Sequence, residues 1–388
     1  MKNNQYIICI GAGNSQVPYI KKVKDLGYRV FCADRNPEAP GFKMADNYIV
    51  RSTVDYVETP GKILEKLPPS HIKAVIAPCT GLPFKTAQGI KKLLKMPYLG
   101  ERETDILMDK LLLREHLNEI HCSQIDIYDQ KELDEHCFPL VEKPRFGGMG
   151  GRGITFFCSF ESYKKNCPVS GCKQDYVRES YINGREIAAD AVWDGKNIIF
   201  LNLGWTLFDV KLGIIVGSTS QRDPLLDSVK NRIKEILERF CLSIHLPPEF
   251  LSVDIMLAPD NVLHIIEVEF VPFDDVYLAE ESFQYDLVEN YILTHLGDTI
   301  QKQPKRLKNT ALVCSVKDKT NSEEINKVSS NTISRYFSVP EYEVQTNKGQ
   351  MLITGYSIVS HSDAGQLMRS VKNMCPAISL ERFEYVGF

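Results

Sequence analysis

The chain has 388 residues, of which 43% are hydrophobic and 25% charged, and its formal net charge is −4. That length calls for two or three domains, and the composition is ordinary for a soluble globular protein. The balance lacks the basic face that nucleic acid needs, and no apolar run approaches the roughly 18 residues of a membrane span, so neither partner is expected. The opening MKNNQYIICIGAG leads straight into a glycine turn and is unlike a secretory signal, which makes a cytoplasmic location the expectation. Eleven scattered cysteines then read as reduced thiols. Cys167 and Cys172 are the only close pair, and no other Cys or His spacing completes a zinc set around them.

The apolar run YIICI is followed by Gly11, Gly13, Asn14, Ser15 and Gln16, then by the helical stretch VPYIKKVKDLG and a second strand, YRVFCAD, ending in Asp34. A glycine turn between strand and helix aims backbone N–H groups at an anion, and an acid some twenty residues on resembles a dinucleotide fingerprint. Gln16 stands where the third glycine belongs, however, which makes a nicotinamide site an outside option. NYIVRS (47–52) and AVIAPCTG (74–81) continue the alternation of strand and helix to about Leu99. This predicts a parallel sheet, with ligands beyond the strand ends at Gly11–Gln16 and at Pro78–Gly81, including Thr80.

Glu101–Ile120 reads as one amphipathic helix with Lys110 beside its apolar stripe, a position from which lysine usually snorkels to water. PLVEKPR (139–145) and GITFFCS (153–159) are strand-like. Between them lie Gly147, Gly148, Gly150, Gly151 and Gly153, with Arg152 among them. So many glycines suit a loop whose backbone approaches phosphates closely, and Lys143 on the entering strand is a natural partner; the bland alternative is a flexible solvent loop. DYVRESYINGREIAADAVWDG (175–195) reads as a strand, a turn at Asn183-Gly184 and a second strand. Further strands follow at NIIFLNLGW and KLGIIVGST, then a helix over 227–240.

Leu251–Phe270 predicts a hairpin turning at Ala258–Asn261. Period-2 alternation puts Glu267 and Glu269 on one face, and Asp254 on the paired strand can meet them. Three carboxylates on a largely buried sheet repel one another unless a cation intervenes, and hard oxygen ligands of this kind suit Mg2+ carrying phosphates. From the hairpin alone a metal site and solvent-facing or ion-paired acids are equally good readings. Asp274, Asp275, Glu280 and Glu281 make the next stretch acidic, either to meet an amine or as a solvated loop. A helix at about 283–296, a linker KQPKRLK (302–308) and a small α+β unit from Ala311 complete the chain.

In this order the stretches resemble the ATP-grasp superfamily of carboxylate–amine ligases, and the first domain is similar to that of carboxyaminoimidazole ribonucleotide synthetases and biotin carboxylase-like ligases. The resemblance covers about residues 5–300 and rests on motifs that are each weak alone and specific in sequence. It implies an α/β ATP-grasp architecture. Residues 1–100 are then a Rossmann-like domain, 101–300 the ATP-grasp domain with a lid subdomain over about 115–182, and 309–388 a C-terminal α+β cap. It further implies that Lys110 and Lys143 bind ATP under a glycine lid, and that Glu179, Tyr181 and Ile182 form an adenine hinge with Glu186 on the ribose. Asp254, Glu267 and Glu269 would hold two Mg2+ ions, with Mn2+ as a substitute; the thirteen-then-two spacing of the acids is the family's. Gly11, Gly13, Asn14, Ser15, Gln16, Thr80 and Gly81 would bind the carboxylate substrate. A small-molecule carboxylate and amine are the implied substrates, and a homodimer is compatible with the reading.

One departure stands out: the family's Asn-Pro-Arg ending of the metal strand is here Glu269, Phe270, Val271 and Pro272. The missing arginine's role falls to Lys211, Arg222 or Arg152, or the chemistry has changed. A ligase working through an acyl phosphate is therefore the leading expectation. An ATP-grasp phosphotransferase and a nucleotide-binding protein without catalysis are the alternatives.

Overall fold

Short apolar runs that alternate with helices can bury both faces only as a parallel sheet covered on each side, and the first hundred residues do this. The computed structural model describes residues 4–147, 153–166, 175–272, 275–318, 335–346 and 349–380. Strands β1 (Tyr6–Ile10), β2 (Arg29–Asp34), β3 (Asn47–Val50) and β4 (Ile72–Ile76) alternate with helices α1 (Val17–Asp25), α2 (Thr59–Lys66) and α3 (Leu82–Leu93). The strands run parallel in the order β3-β2-β1-β4. One face of β1, with Ile7 and Cys9, packs on Ile20 and Val23 of α1; the other, with Ile8 and Ile10, packs against Ile63 and Ile90.

The helix expected over Glu101–Ile120 is two: α4 (Glu101–Met108) and α5 (Lys110–Glu119). Asp109 breaks it. Its backbone is extended, and its carboxylate caps α5 by accepting from Leu111 N at 3.0 Å. Arg145 holds that carboxylate from the other side, at 2.7 Å through Nε. Apolar periodicity runs through the break, so the pattern alone misses it. A small antiparallel sheet follows, ordered β6-β5-β7, from β5 (Leu140–Pro144), β6 (Thr155–Phe157) and β7 (Tyr176–Ser180), with α6 (Phe160–Asn166) beside it.

The chain then builds a nine-stranded sheet. β8 (Arg185–Trp193), β9 (Ile198–Asp209) and β10 (Ile214–Ser220) precede the long helix α7 (Pro224–Ser243), and β11 (Glu249–Leu257) and β12 (Leu263–Glu269) form the expected hairpin. Where one helix and an acidic loop were expected after the hairpin, there are two helices, α8 (Asp275–Phe283) and α9 (Leu287–Leu296). Gln284 with φ of 53° and the capping Asp286 separate them. Strands β13 (Asn309–Asp318), β14 (Arg335–Thr346) and β15 (Gly349–His361), helix α10 (Ala364–Met374) and β16 (Ile378–Ser379) finish the fold. The cap expected at 309–388 shares its sheet with the central domain: β13 pairs β10, giving the order β12-β11-β8-β9-β10-β13-β15-β14, with β16 on β9.

The faces of this sheet place the site. Ile187, Trp205, Val253 and Ile255 face α7 in the main core. On the opposite face Val192, Phe200 and Phe250 pack under Phe283 and Tyr285 near α8 and α9. Farther along that second face the same strands carry a polar strip of Glu186, Asp190, Asn202, Ser252 and Asp254. Among the described residues no helix is long and apolar enough to cross a membrane, and the nine described cysteines are free thiols. Cys167 and Cys172 lie outside the described residues.

Replacing the cap in Asp109→Ala should lower the thermal midpoint by the equivalent of about 1–2 kcal/mol. An unchanged midpoint in calorimetry would show that the break between α4 and α5 does not depend on this carboxylate.

Candidate active site

Three cations converge where the small sheet meets the large one. Lys110 opens α5, with its backbone N–H on Arg145 O at 3.0 Å. Its ammonium does not snorkel to water. It donates to Gly147 O at 2.7 Å and lies 3.1 Å from Glu267 Oε1. One helical turn on, Arg114 is 1% exposed and fully engaged. Its Nε donates to Glu179 at 3.0 Å, and its Nη1 donates to Ser123 Oγ at 2.9 Å and Ile265 O at 2.6 Å. Lys143, buried on β5, meets the other Glu179 oxygen at 2.8 Å. Burial would raise the Glu179 carboxyl, but the Lys143 and Arg114 cations outweigh it and hold the group below the usual carboxylate range. Burial pushes the Lys143 ammonium down, and Glu179 offsets this only in part. The cluster carries one net positive charge facing the place where the sheets meet.

The Glu179 side chain anchors two cations, which leaves its backbone for the hinge contact expected of it. The segment after it does cross between domains. β7 belongs to the small sheet and β8 to the large one, so Tyr181–Gly184 joins two sheets and does not fold back as a hairpin. Tyr181 N donates to Pro139 O at 3.0 Å and its ring meets Phe156 edge-on at 4.9 Å, while Ile182 is half-buried. Only glycine fits at 184, because a Cβ there would lie 2.3 Å from Leu257 O. Glu186, 5% exposed, stands at the start of β8 opposite Met256. Of the glycine loop, Gly148, Gly150, Gly151 and Arg152 lie outside the described residues, and Gly147 and Gly153 are exposed at its two ends.

The three acids of the hairpin share a face. Asp254 is directly opposite Glu267, and Ser252 is opposite Glu269. Cross-strand partners of this kind project to the same side. Glu267 leans on Lys110. Burial and the neighbouring Glu267 push the Glu269 carboxyl up to about 7, against the pull of Lys110. Among the described residues no three acids close into a group that could hold a metal. The donors are nonetheless hard carboxylate oxygens whose mutual repulsion raises Glu269, and that is the chemistry a divalent cation relieves.

Neither described substitute for the missing arginine reaches these acids. Lys211 is exposed on the β9–β10 turn, where Val210 N binds Ala377 O, and Arg222 is exposed just past β10 with its backbone N–H on Asn309. Both lie at strands separated from β12 by β11 and β8. The downstream acids are also engaged: Glu281 pairs with Lys308 at 2.7 Å and Glu280 with Arg335 at 3.3 Å. Asp274 is outside the described residues, as is the side chain of Asp275.

In the first domain Gly11 has φ of 96°, and a Cβ on it would lie 2.8 Å from Cys79 Sγ. Gln16 Nε2 donates to Pro78 O at 2.7 Å, so the turn of Gly13, Asn14 and Ser15 is tied to the stretch holding Thr80 and Gly81. Asp34, the acid that would meet a ribose in a nicotinamide site, instead accepts from Ala12 N at 2.8 Å and Asn36 N at 2.9 Å. Tyr19 Oη donates to Pro272 O, bringing this turn's helix to the end of β12.

Arg114 and Asp190 escaped the sequence reading. Arg114 follows Lys110 by four residues, a spacing that puts both on one helix face. Asp190 interrupts the apolar strand β8 just as Asp254 interrupts β11, so the same signal was available. Register aligns Ser252, Asp190 and Asn202 across three strands, continuing the row that starts at Glu269.

Residues 107–269, which hold these lysines and carboxylates, match the model of the ATP-grasp domain family. The chain therefore carries an ATP-grasp domain over these residues. It is 20% identical over 323 residues to N5-carboxyaminoimidazole ribonucleotide synthase of Staphylococcus haemolyticus, covering 79% of this chain and 81% of that one. In fold it is similar to the L-amino acid ligase of Bacillus licheniformis, with a TM-score of 0.71 and 13% identity over 97% and 98% of the two chains. It is also similar to the biotin carboxylase domain of the Hydrogenobacter thermophilus 2-oxoglutarate carboxylase, solved as a dimer with MgADP, ADP and bicarbonate. There the TM-score is 0.66 and the identity 14%, over 97% and 90% of the chains.

Glu179→Gln leaves Arg114 and Lys143 without their shared counter-charge in a buried place. It should destabilise the protein by about 3–5 kcal/mol in chemical denaturation. A loss under 1 kcal/mol, the scale of an exposed pair, would mean that water reaches this cluster.

Proposed function

We propose that this chain is an ATP- and Mg2+-dependent ligase that joins a small-molecule carboxylate to an amine through an acyl phosphate, releasing ADP and phosphate. The observation that carries the reading is Lys110. It comes from α5, bonds the entrance of the glycine loop through Gly147 O and faces Glu267 on the large sheet, so one cation touches all three parts that would surround a triphosphate. The relatives supply the reaction class: a ribonucleotide synthase in sequence and an amino acid ligase in fold.

In this reading Lys110 and Lys143 bind the phosphates and the glycine loop closes over them. Closure excludes water, which would otherwise hydrolyse the acyl phosphate. Tyr181 and Ile182 border the adenine, and Glu186 receives the ribose hydroxyls. Asp254, Glu267 and Glu269 would hold the two Mg2+ ions, which when bound neutralise the charge that develops as the γ-phosphoryl leaves ADP for the substrate carboxylate. With nucleotide bound, Lys110 would turn from Glu267 to the phosphates, leaving that carboxylate free to hold a cation. The Gly11–Gln16 turn and Thr80–Gly81 bind the carboxylate substrate, and α1 holds that turn beside the end of β12 through Tyr19. The amine then attacks the acyl carbon, the C–N bond forms and phosphate departs. A homodimer is part of the reading, following the dimer of the biotin carboxylase domain.

Glu267→Gln should keep the fold and abolish turnover, read as ADP release over a panel of acids and amines with products identified by mass spectrometry. ADP formation at the wild-type rate would remove these acids from the chemistry, and a stable phosphoester product would make the protein a phosphotransferase. Lys143→Ala should weaken ATP binding about tenfold or more, the worth of one charge-assisted hydrogen bond. Titration showing undisturbed nucleotide affinity would remove Lys143 from the phosphate site.

A further inference from the structure

The basic linker KQPKRLK takes no part in the site above, yet it is not loose. β10 pairs β9 only as far as Ser218 opposite Thr206, so the start of β9 lacks a strand on that side. Gln303 takes its place: its Nε2 donates to Leu201 O at 2.9 Å and its Oε1 accepts from Leu201 N at 3.3 Å. This holds Lys305 and Arg306 against the start of α7 and closes a cleft of about 410 Å³, to which Gln221, Arg222, Asp227 and Lys230 also contribute.

Four cations thus face a single carboxylate. Arg306 is held firmly, with Nη1 on Ser220 Oγ at 2.6 Å and its guanidinium 4.4 Å above the Phe283 ring. Burial pushes its guanidinium down to about 10, Asp227 counters this and Arg222 adds to it. Like charges brought together without matching acids cost stability unless an anion is shared among them. A second observation is independent of charge. Gln221 is 6% exposed and lines the cleft, and its amide oxygen is buried with no hydrogen-bond partner. A buried acceptor left unmatched costs about 1–3 kcal/mol, so the cleft asks for a donor as well as for negative charge.

We propose that this cleft is a binding site for a small anion of two or more charges that also carries a hydroxyl or N–H donor, such as a sugar phosphate or a hydroxylated polycarboxylate. The anionic groups meet Arg222, Lys230 and Arg306, and the donor meets Gln221 Oε1. The volume lies within the range of small-molecule sites. The site is separate from the ATP-grasp reading, since it uses none of the hairpin acids, but it adjoins the same polar row. Arg306 Nη2 lies 3.4 Å from Asn202 Oδ1, and Asn202 and Glu269 end one row, three strand spacings or about 14 Å apart.

The test is calorimetric titration of the full chain, without ATP, with ribose 5-phosphate, citrate and sulfate at matched ionic strength. Ribose 5-phosphate or citrate should bind saturably, and sulfate, which has no donor at neutral pH, more weakly. Lys230→Gln should weaken all three about tenfold, whereas Gln221→Leu should weaken only the donor-bearing ligands. Circular dichroism and melting of each variant check that it is folded. Absence of saturable binding of either donor-bearing ligand below about 10 mM, or folded variants that bind like the parent chain, would overturn the site. Because no turnover is measured, a failure of the ligase reading leaves the outcome intact.

Discussion

The structure depends on one buried interaction, the clasp of Glu179 between Arg114 and Lys143. Each of the three comes from a different element: α5, β5 and β7. Taking such charges out of water costs several kcal/mol per ion, and only near-complete hydrogen bonding offsets it. Arg114 achieves this by reaching through to Ile265 O and Ile266 O on β12, at 2.6 and 3.1 Å. The small sheet is therefore bolted to the large one at the level where Glu267 emerges. The clasp leaves one positive charge over beside the Tyr181–Gly184 crossing, which predisposes the place for an anion before any anion arrives.

The large sheet works by division of its faces. One face is apolar over β8, β9 and β11, where α7 covers it. The other is apolar only at one end, where α8 and α9 cover it, and polar over the remainder. Glu269 feels that division: burial and Glu267 raise it to about 7, while Glu267 itself rests on a lysine. The hairpin acids are tolerated in the resting arrangement by a cation from α5 and by a raised carboxyl pKa, which is a less demanding arrangement than three bare carboxylates sharing one point.

The first domain and the C-terminal strands are integral to this arrangement. Lys22 of α1 pairs with Asp286 at 2.5 Å and Glu289 at 3.3 Å at the start of α9, and His295 of the same helix meets Glu249 of β11 at 3.3 Å. Helix α9 thereby joins the parallel sheet to the large one, and the glycine turn is held toward the end of β12. At the other edge, β13 extends the large sheet directly, so the C-terminal residues complete one sheet instead of sitting on it.

The sequence by itself determined the strand–helix alternation of the first domain, the hairpin with its turn at Ala258–Asn261, and the shared face of Asp254, Glu267 and Glu269, because these follow from period, turn chemistry and pleat, all local properties. The order of motifs also sufficed to point to the ATP-grasp class. Tertiary structure alone decided that Asp109 would break a periodic helix, that Glu179 would be consumed by two cations, and that Lys110 would face Glu267 and not water. It also decided that Lys211 and Arg222 would lie away from the acids, and that a basic linker would line a cleft. Each of these turns on which distant groups meet in a low-dielectric place, where a charge is worth or costs far more than in water, and pairings across a hundred residues leave no periodicity to read.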